Sequence, residues 1–175
     1  SGAALPGKIE AENYTTMSGV QSETTSDVGG GKNVGFIDTG DWMDYATNVA
    51  TAGVYTLNIR IATPYSSQQI QLKNSSGTVL ATLSVPTTGG YQNWTTISTS
   101  VTLPQGNQTL RIYSSNGGWN IHWIEFVSGT SAPSGAAIPG KIEAENYDAM
   151  NGIGNETTSD AGGGRNIGCG SSCDW

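Results

Sequence analysis

Hydrophobic and polar residues alternate along much of this chain. The pattern is clearest in residues 55–61, where apolar and polar side chains take turns without interruption. The apolar positions are Tyr55, Leu57, Ile59 and Ile61, and the polar ones are Thr56, Asn58 and Arg60. Because successive side chains point to opposite faces of a strand, this pattern predicts an antiparallel β-strand with one buried face.

Other segments show the same period, and turn-forming residues separate them. They span residues 41–49, 69–73, 78–85, 94–101 and 108–114, with clusters of Gly, Pro, Asn and Ser between them. No segment carries a sustained helical period. Strands at a spacing of roughly 8 to 12 residues predict an all-β fold, an antiparallel β-sandwich of the jelly-roll type.

One further segment, residues 120–126, interrupts the alternation. Its apolar phase shifts between Ile121 and Ile124, which predicts a β-bulge in a buried strand. Trp94 and Trp123 lie within alternating segments, so we expect both to be core residues.

The chain also contains an internal repeat. Residues 8–14 (KIEAENY) return 133 residues later as residues 141–147, and the similarity continues without a gap to Trp175. A period of this length matches a whole domain rather than a solenoid repeat. We therefore predict a linker remnant at 1–7, a complete module at 8–128, a linker at 129–140 and the truncated start of a second copy at 141–175.

Composition narrows the possible partners. The formal net charge is −7 and the chain has 7 Lys and Arg, so it offers no basic surface for nucleic acid or for an anionic membrane. No apolar run is long enough for a membrane span. We expect the segment to be soluble, with any export signal upstream of Ser1.

Several carboxylates are candidates for metal binding or catalysis, and each has a simpler alternative. Glu10 and Glu12 are two residues apart on a predicted strand, where they could bind calcium or be solvated at a sheet edge. Asp38-Thr-Gly40 matches the short signature of aspartic proteases, and Asp38, Asp41 and Asp44 could suggest the carboxylate pair of a glycoside hydrolase. The sequence Asp-Thr-Gly-Asp at 38–41 favours a tight turn instead.

Aromatic residues near glycine-rich turns suggest another kind of site. Phe36, Tyr91 and Asn120 fall at strand ends or glycine turns, where a sandwich presents its binding loops. An aromatic ring can cover the apolar face of a pyranose, and an amide can bond to its hydroxyl groups. The pattern alone fits sugar binding and ordinary loop packing equally well.

Four stretches of the first module together resemble the family 6 carbohydrate-binding modules. They are Ile9-Glu-Ala-Glu-Asn-Tyr14, residues 23–35 (ETTSDVGGGKNVG), Ile37-Asp-Thr-Gly-Asp-Trp42 and Gly117-Gly-Trp-Asn-Ile-His-Trp123, in the order and spacing of that family. The resemblance implies a non-catalytic β-sandwich with its principal sugar site in the loops at one end. There, Phe36 and Tyr91 would sandwich a sugar, and Asn120 and Glu23 would hydrogen-bond to it.

The resemblance also implies two further sites. A second cleft on the concave face of a sheet would use Trp42, with Asp44 and Tyr113 beside it. A structural calcium ion would lie elsewhere in the module. The positions that match its ligands are Glu10, Glu12, Lys32 through its backbone carbonyl, and His122 through its carbonyl, where the family usually has Asp or Asn.

Modules of this family are parts of secreted enzymes that degrade polysaccharides. The resemblance therefore implies an extracellular module that holds an appended glycoside hydrolase on a β-linked polysaccharide of the xylan, β-glucan or agarose class. Two alternatives remain open, namely a catalytic glycoside hydrolase domain and a structural or adhesive β-sandwich without a sugar site.

The second copy repeats only part of these features. Glu143 and Glu145 match the first pair of carboxylates, but the copy ends before any counterpart of Tyr91 or Asn120, and Cys169 stands at the position of Phe36. We expect no sugar site in this fragment alone. We also expect it to be ordered by packing on the first module or on a neighbouring chain.

Overall fold

The computed structural model describes residues 2–129 and the backbone of residues 153–157 and 165–169. The chain forms two compact units, Ser1–Gly129 and Thr130–Trp175. Among the described residues no helix is long and apolar enough to cross a membrane. The first unit contains all of the residues matched to a sugar site.

Twelve strands build the first unit. In chain order they are β1 (Ala3–Leu5), β2 (Gly7–Glu10), β3 (Thr16–Ser18), β4 (Gln21–Thr24), β5 (Lys32–Ile37), β6 (Trp42–Val49), β7 (Gly53–Thr63), β8 (Gln68–Asn74), β9 (Val79–Val85), β10 (Gly90–Leu103), β11 (Gly106–Asn116) and β12 (Trp119–Ser128). They form two six-stranded sheets. The first has the order β1-β6-β11-β8-β9, with β3 also paired to β6, and the second has the order β10-β7-β12-β5-β4, with β2 also paired to β12.

The strands follow the alternation in the sequence because each sheet buries one face. In β7 the four apolar positions of residues 55–61 are at most 3% exposed, whereas the polar positions between them are partly exposed. Inward-facing residues of both sheets, such as Ile112 and Phe126, meet in one core. Burying a side chain of this kind contributes about 1.5 to 3 kcal/mol. The predicted all-β antiparallel sandwich is confirmed.

The bulge predicted in the last strand of the module is confirmed and lies at His122. Ile121 of β12 pairs with Ile61 of β7, but the next pair is Trp123 with Arg60, so His122 is an extra residue. As a result, Ile121 before the bulge and Ile124 after it both face the core, and both are 0% exposed.

The expectation that Trp94 and Trp123 are core residues is wrong. Both are only partly buried. The bulge places Trp123 on the outer face, where Lys8 Nζ lies 5.0 Å from its ring centroid. Trp94 lies where β10 shifts its register against β7. Among the described tryptophans the one in the core is Trp119, which is 0% exposed and donates its indole N–H to the carbonyl of Asn116 at 3.0 Å.

The second unit contains a two-stranded hairpin, β13 (Ile153–Thr157) with β14 (Arg165–Cys169). Its register repeats that of β4 with β5. Glu156 pairs with Asn166 in this hairpin, and Glu23 pairs with Asn33 at the equivalent positions of the first copy. The two copies of the repeat therefore form the same hairpin.

Two expectations about the second copy lie outside the described residues. They concern the positions of Glu143 and Glu145 and the packing of residues 141–175. For this copy the structure gives the backbone of β13 and β14, in which Cys169 is the last residue of β14.

Candidate functional site

A pocket of about 410 Å³ opens at one end of the second sheet. It lies where β5 ends and where β10 and β12 begin. Its lining residues are Glu23, Phe36, Ile37, Asp38, Tyr91, Gly118 and Asn120. All four residues matched to a principal sugar site are therefore brought together here.

The ring of Phe36 projects from an irregular stretch of β5. The pairing of β5 with β12 shifts register between Trp119 and Ile121, with one extra residue on β5. Phe36 has a φ of 58° in this stretch. This left-handed conformation costs a residue with a Cβ atom about 1 to 3 kcal/mol. Phe36 is 61% exposed, so this irregular stretch of β5 presents its ring to solvent.

Tyr91 supplies the second ring and is supported by Tyr65. The two rings meet edge to face, with centroids 6.1 Å apart and planes at 84°. Tyr65 also lies over Gly118, where an added Cβ atom would stand 3.0 Å from the Tyr65 ring. Partial burial, then the neighbouring Tyr65 and the charge of Asp38, raise the pKa of Tyr91 above its ordinary value. Its hydroxyl therefore stays protonated at neutral pH and can donate a hydrogen bond.

Glu23 is held in place by three amide groups. Its Oε1 accepts hydrogen bonds from Asn120 Nδ2 at 2.8 Å, Asn33 Nδ2 at 3.0 Å and Gln92 Nε2 at 3.3 Å. Asn120 Nδ2 also donates to the carbonyl of Tyr91 at 2.9 Å. These bonds join β4, β5, β10 and β12, so the polar groups of the pocket are fixed relative to one another.

Sequence reasoning missed two residues that this network requires. Gln92 accepts the N–H of Ser26 at 2.9 Å through its Oε1 and donates to Asn33 Oδ1 at 3.1 Å through its Nε2. Gly35 leaves the space for the amide of Asn120, because a Cβ atom there would stand 2.7 Å from Asn120 Oδ1. In the sequence, the only signals were an amide next to Tyr91 and a glycine in a strand.

Asp38 lies on the rim of the pocket. The tight turn predicted at residues 38–41 is confirmed, since the N–H of Asp38 donates to Asp41 Oδ2 at 2.8 Å and the N–H of Asp41 donates to the Asp38 carbonyl at 3.2 Å. These bonds use only the backbone of Asp38. Its carboxylate makes no hydrogen bond within the described part of the chain, so it remains available to a ligand, which the turn motif did not indicate.

The residues predicted for a second cleft also lie together, on the outer face of the first sheet. Trp42 of β6 pairs with Tyr113 of β11. The guanidinium of Arg111 lies 3.8 Å from the ring centroid of Trp42 and bonds to both carboxylate oxygens of Asp44, at 2.7 and 2.8 Å. Lys73 Nζ lies 3.4 Å from the ring centroid of Tyr113. Each of these rings therefore has a cation over one face.

Glu10 and Glu12 do not share a strand. β2 ends at Glu10, and Glu12 lies in the turn that follows, so the prediction that both lie on one strand is wrong. Glu10 Oε1 pairs with Lys8 Nζ at 3.0 Å. Glu12 Oε2 is buried and has no hydrogen-bond partner among the described residues. A buried carboxylate oxygen of this kind is unfavourable, and a bound cation would satisfy it.

The ring of His122 is already engaged. Its Nδ1 lies 2.8 Å from Asp27 Oδ2 and its Nε2 lies 3.2 Å from the carbonyl oxygen of Gly30. The carbonyl oxygen of His122 accepts the N–H of Ala11 at 2.9 Å, and Glu10 Oε2 lies 3.9 Å from Nε2. His122 therefore adjoins Glu10, as the calcium prediction requires, but only its carbonyl oxygen has a free lone pair to offer.

The donor set near His122 fits calcium only with the help of backbone oxygens. Within the described residues, no three His, Cys, Asp or Glu side chains gather into a metal-binding group. Calcium prefers carboxylate and carbonyl oxygens as ligands. The matched positions would supply the carboxylates of Glu10 and Glu12 and the carbonyls of His122 and of Lys32, the first residue of β5. The unpartnered Glu12 Oε2 is the feature that favours an ion here.

Asp27 ties the glycine loop at residues 29–31 to the sheet. Arg60 donates to both of its carboxylate oxygens, from Nε at 2.8 Å and from Nη2 at 2.7 Å. The Arg60 guanidinium is the main cause that holds the pKa of Asp27 well below its usual range, and it prevails over burial with the help of His122. This ion pair lies beside the residues matched to calcium.

Residues 10–128 match the family described as carbohydrate binding module (family 6). The chain is 38% identical over 172 residues to the clotting factor G alpha subunit of Tachypleus tridentatus, a match that covers 95% of this chain and 26% of that subunit. The chain spans about a quarter of the length of the curated relatives that it matches.

Solved structures of similar modules share the fold. A carbohydrate binding module of Cellvibrio mixtus lichenase 5A, in complex with cellotriose, is 40% identical with a TM-score of 0.67, over 70% of this chain and 96% of that chain. A β-1,3-glucan binding module of family 6 from Bacillus halodurans is 30% identical with a TM-score of 0.69, over 73% of this chain and 100% of that chain. The chain thus belongs to family 6 of the carbohydrate-binding modules, and residues 10–128 form a non-catalytic sugar-binding module.

Proposed function

We propose that this module binds a β-linked polysaccharide of the β-glucan class in the pocket that Phe36 and Tyr91 line. The observation that supports this most strongly is the combination of two exposed aromatic rings with a fixed polar floor. The rings can cover the apolar faces of a sugar, while Glu23 and Asn120 hold oxygen atoms ready for its hydroxyl groups.

The choice of β-glucan follows from the similar modules. One is described in complex with cellotriose and another as binding β-1,3-glucan, and a third, 43% identical with a TM-score of 0.66, is the C-terminal family 6 module of the laminarinase LamC from Zobellia galactanivorans. Xylanases and an agarase are among the other relatives. Xylan and agarose are therefore the competing ligands that a binding screen must include.

Affinity for such a ligand should be modest. Two stacking rings and a few hydrogen bonds in an open pocket net about 4 to 7 kcal/mol after the costs of association, which corresponds to dissociation constants of roughly millimolar to ten micromolar. A module in this range can release and rebind along a polymer. We propose that it acts in this way outside the cell, holding an appended glycoside hydrolase on its substrate.

Retention in affinity gels tests the binding site. Gels that contain laminarin, mixed-linkage β-glucan, xylan or agarose should retard the wild-type module in at least the β-glucan lanes. Tyr91→Ala should lose this retardation, because it removes one of the two rings proposed to stack on the sugar, a contact that contributes about 0.5 to 1.5 kcal/mol beyond the area it buries. Tyr91→Phe keeps the ring and serves as the control. Unchanged retention of Tyr91→Ala would show that the sugar binds elsewhere.

We further propose that Glu10, Glu12 and the carbonyl oxygens of Lys32 and His122 hold a structural calcium ion. Support comes from the buried, unpartnered Oε2 of Glu12 and from the proximity of Glu10 to His122. The ion would stabilise the turn after β2 and would play no part in stacking the sugar.

A further inference from the structure

The orientation of the Asn120 amide follows from its partners. Its Nδ2 lies within hydrogen-bond distance of Glu23 Oε1 and of the Tyr91 carbonyl, and both of these groups are acceptors. The nitrogen must therefore face them, and both of its N–H groups are used. The group that remains for a ligand is Oδ1, which can only accept.

The other polar side chains of the pocket are acceptors as well. Glu23 uses Oε1 for its three amide partners, and its Oε2 makes no hydrogen bond within the described residues. Asp38 has a carboxylate on the rim with no partner of its own among those residues. Apart from the Tyr91 hydroxyl, the side chains of the pocket thus offer only oxygen atoms that need a hydrogen from the ligand.

The pocket is negatively charged, and within the described part of the chain its lining contains no counterion. Glu23 and Asp38 both line it, and none of these lining residues is Lys, Arg or His. Arg60, a cation on the neighbouring strand β7, is committed to Asp27. A sugar hydroxyl can donate to these carboxylates, whereas the carboxylate of an acidic sugar cannot donate and is repelled.

We infer that the pocket selects neutral glycans with free hydroxyl groups against acidic ones, and that Asp38 is the residue that sets this selectivity. The inference rests on the proposed function, because it concerns the same pocket. Glu23 is fixed by its amide network and takes part in binding any ligand, whereas Asp38 stands on the rim, where a substituent of the sugar would meet it. Repulsion between Asp38 and the carboxylate of an acidic sugar weakens binding of the acidic glycan and adds little to the affinity for the neutral one.

Two derivatives of one polymer test this selectivity. The neutral polysaccharide that the wild-type module retains best is converted to a hydroxyethyl form and a carboxymethyl form at the same low degree of substitution. The hydroxyethyl form controls for bulk. At low ionic strength the wild-type module should bind the carboxymethyl form at least about tenfold more weakly than the hydroxyethyl form. The ratio of the dissociation constants, carboxymethyl over hydroxyethyl form, should fall at high salt, because Asp38 is exposed and salt screens its charge.

Two variants locate the effect. Asp38→Asn keeps the turn, which uses only backbone groups of this residue, and should lower the ratio about threefold or more. Glu125→Gln removes the same charge from β12 on the far side of the bulge, where Glu125 bonds to Asn58, and should leave the ratio unchanged. Circular dichroism confirms that both variants are folded.

The outcomes separate this inference from the proposed function. Equal binding of the two derivatives by the wild-type module would overturn the inference while sugar binding stands. Equal ratios in Asp38→Asn and Glu125→Gln would overturn the role of Asp38. If the wild-type module is retained by no neutral polysaccharide, the proposed function fails, and the inference fails with it.

Discussion

Asn120 Nδ2 and Glu23 Oε1 are 2.8 Å apart, and Gly35 lies directly beside this hydrogen bond. The bond joins β12 to β4 across β5, which lies between them. A side chain on β5 at this point would have to occupy the same space as the bond. The absence of a Cβ atom at Gly35 is therefore a condition for the polar floor of the pocket.

Replacing Gly35 by Ala should weaken sugar binding without unfolding the module. The added Cβ atom would stand 2.7 Å from Asn120 Oδ1 and 3.2 Å from Glu23 Oε1, so the two side chains must separate. We expect affinity to fall by about tenfold or more, which is about 1.4 kcal/mol, as measured by affinity gels or calorimetry. Gly53→Ala is the matched control, because a Cβ atom there meets nothing within 4 Å. Wild-type affinity of Gly35→Ala would contradict the role of the amide network.

Replacing Trp42 by Ala should leave sugar affinity within about twofold of the wild type, because Arg111 covers one face of this ring. The stability of the module should fall slightly, since the contact between guanidinium and ring is worth about 0.5 to 1 kcal/mol. Calorimetric titration with the best ligand measures the first effect and thermal unfolding measures the second. A Trp42→Ala variant that loses binding while Tyr91→Ala retains it would move the principal site to the concave face.

Calcium should raise the melting temperature of the module, and a chelator should lower it. An ion that binds only the folded state stabilises it by about 2.7 kcal/mol at a concentration one hundred times its dissociation constant. Glu12→Gln should remove most of the difference between calcium and chelator, because it replaces the carboxylate whose Oε2 is buried without a partner. Glu125→Gln should keep the full difference. Identical melting curves of the wild type in calcium and in chelator would argue against the metal site.

The ion pair of Asp27 and Arg60 should make the fold sensitive to acid. The pKa of Asp27 is lower in the folded protein than in the unfolded chain, so the pair stabilises the fold above the ordinary value of 3.8 and loses this effect as the pH falls below it. Asp27→Asn leaves Arg60 without its buried partner, so we expect the free energy of unfolding to fall by about 3 kcal/mol at neutral pH. The melting temperature of this variant should also decline less steeply than that of the wild type between about pH 4 and pH 2. A melting temperature equal to that of the wild type across this range would show that the pair contributes nothing.

Much of the fold could be predicted from the sequence because the sandwich buries one face of each sheet. Residues 55–61 alternate cleanly, and the structure places them in β7 with the expected face in the core. The bulge at His122 could be predicted because two isoleucines out of phase must both be buried. The tryptophans were misassigned, since a large ring in an alternating segment can lie on either face when the register shifts beside it.

The principal site could be predicted from the sequence only in part, because its residues are brought together by the pairing of strands that lie far apart in the chain. The family resemblance identified Phe36, Tyr91, Asn120 and Glu23, and the pocket contains all four. No local pattern indicates that Gln92 reaches Glu23, which is 69 residues away, or that Tyr65 supports Tyr91 edge to face. Contacts of this kind depend on the register of β4, β5 and β10 and on loop geometry, which hydrophobic alternation does not encode.

The left-handed backbone of Phe36 has a consequence for how variants of this module should be ranked. Glycine would adopt the φ of 58° without steric strain, and asparagine would adopt it more readily than phenylalanine does. Substitutions that relax this position can therefore raise the melting temperature while they remove a ring from the pocket. Screening a library for heat resistance alone would enrich modules that no longer hold a sugar, so selection for stability has to be coupled to selection for binding.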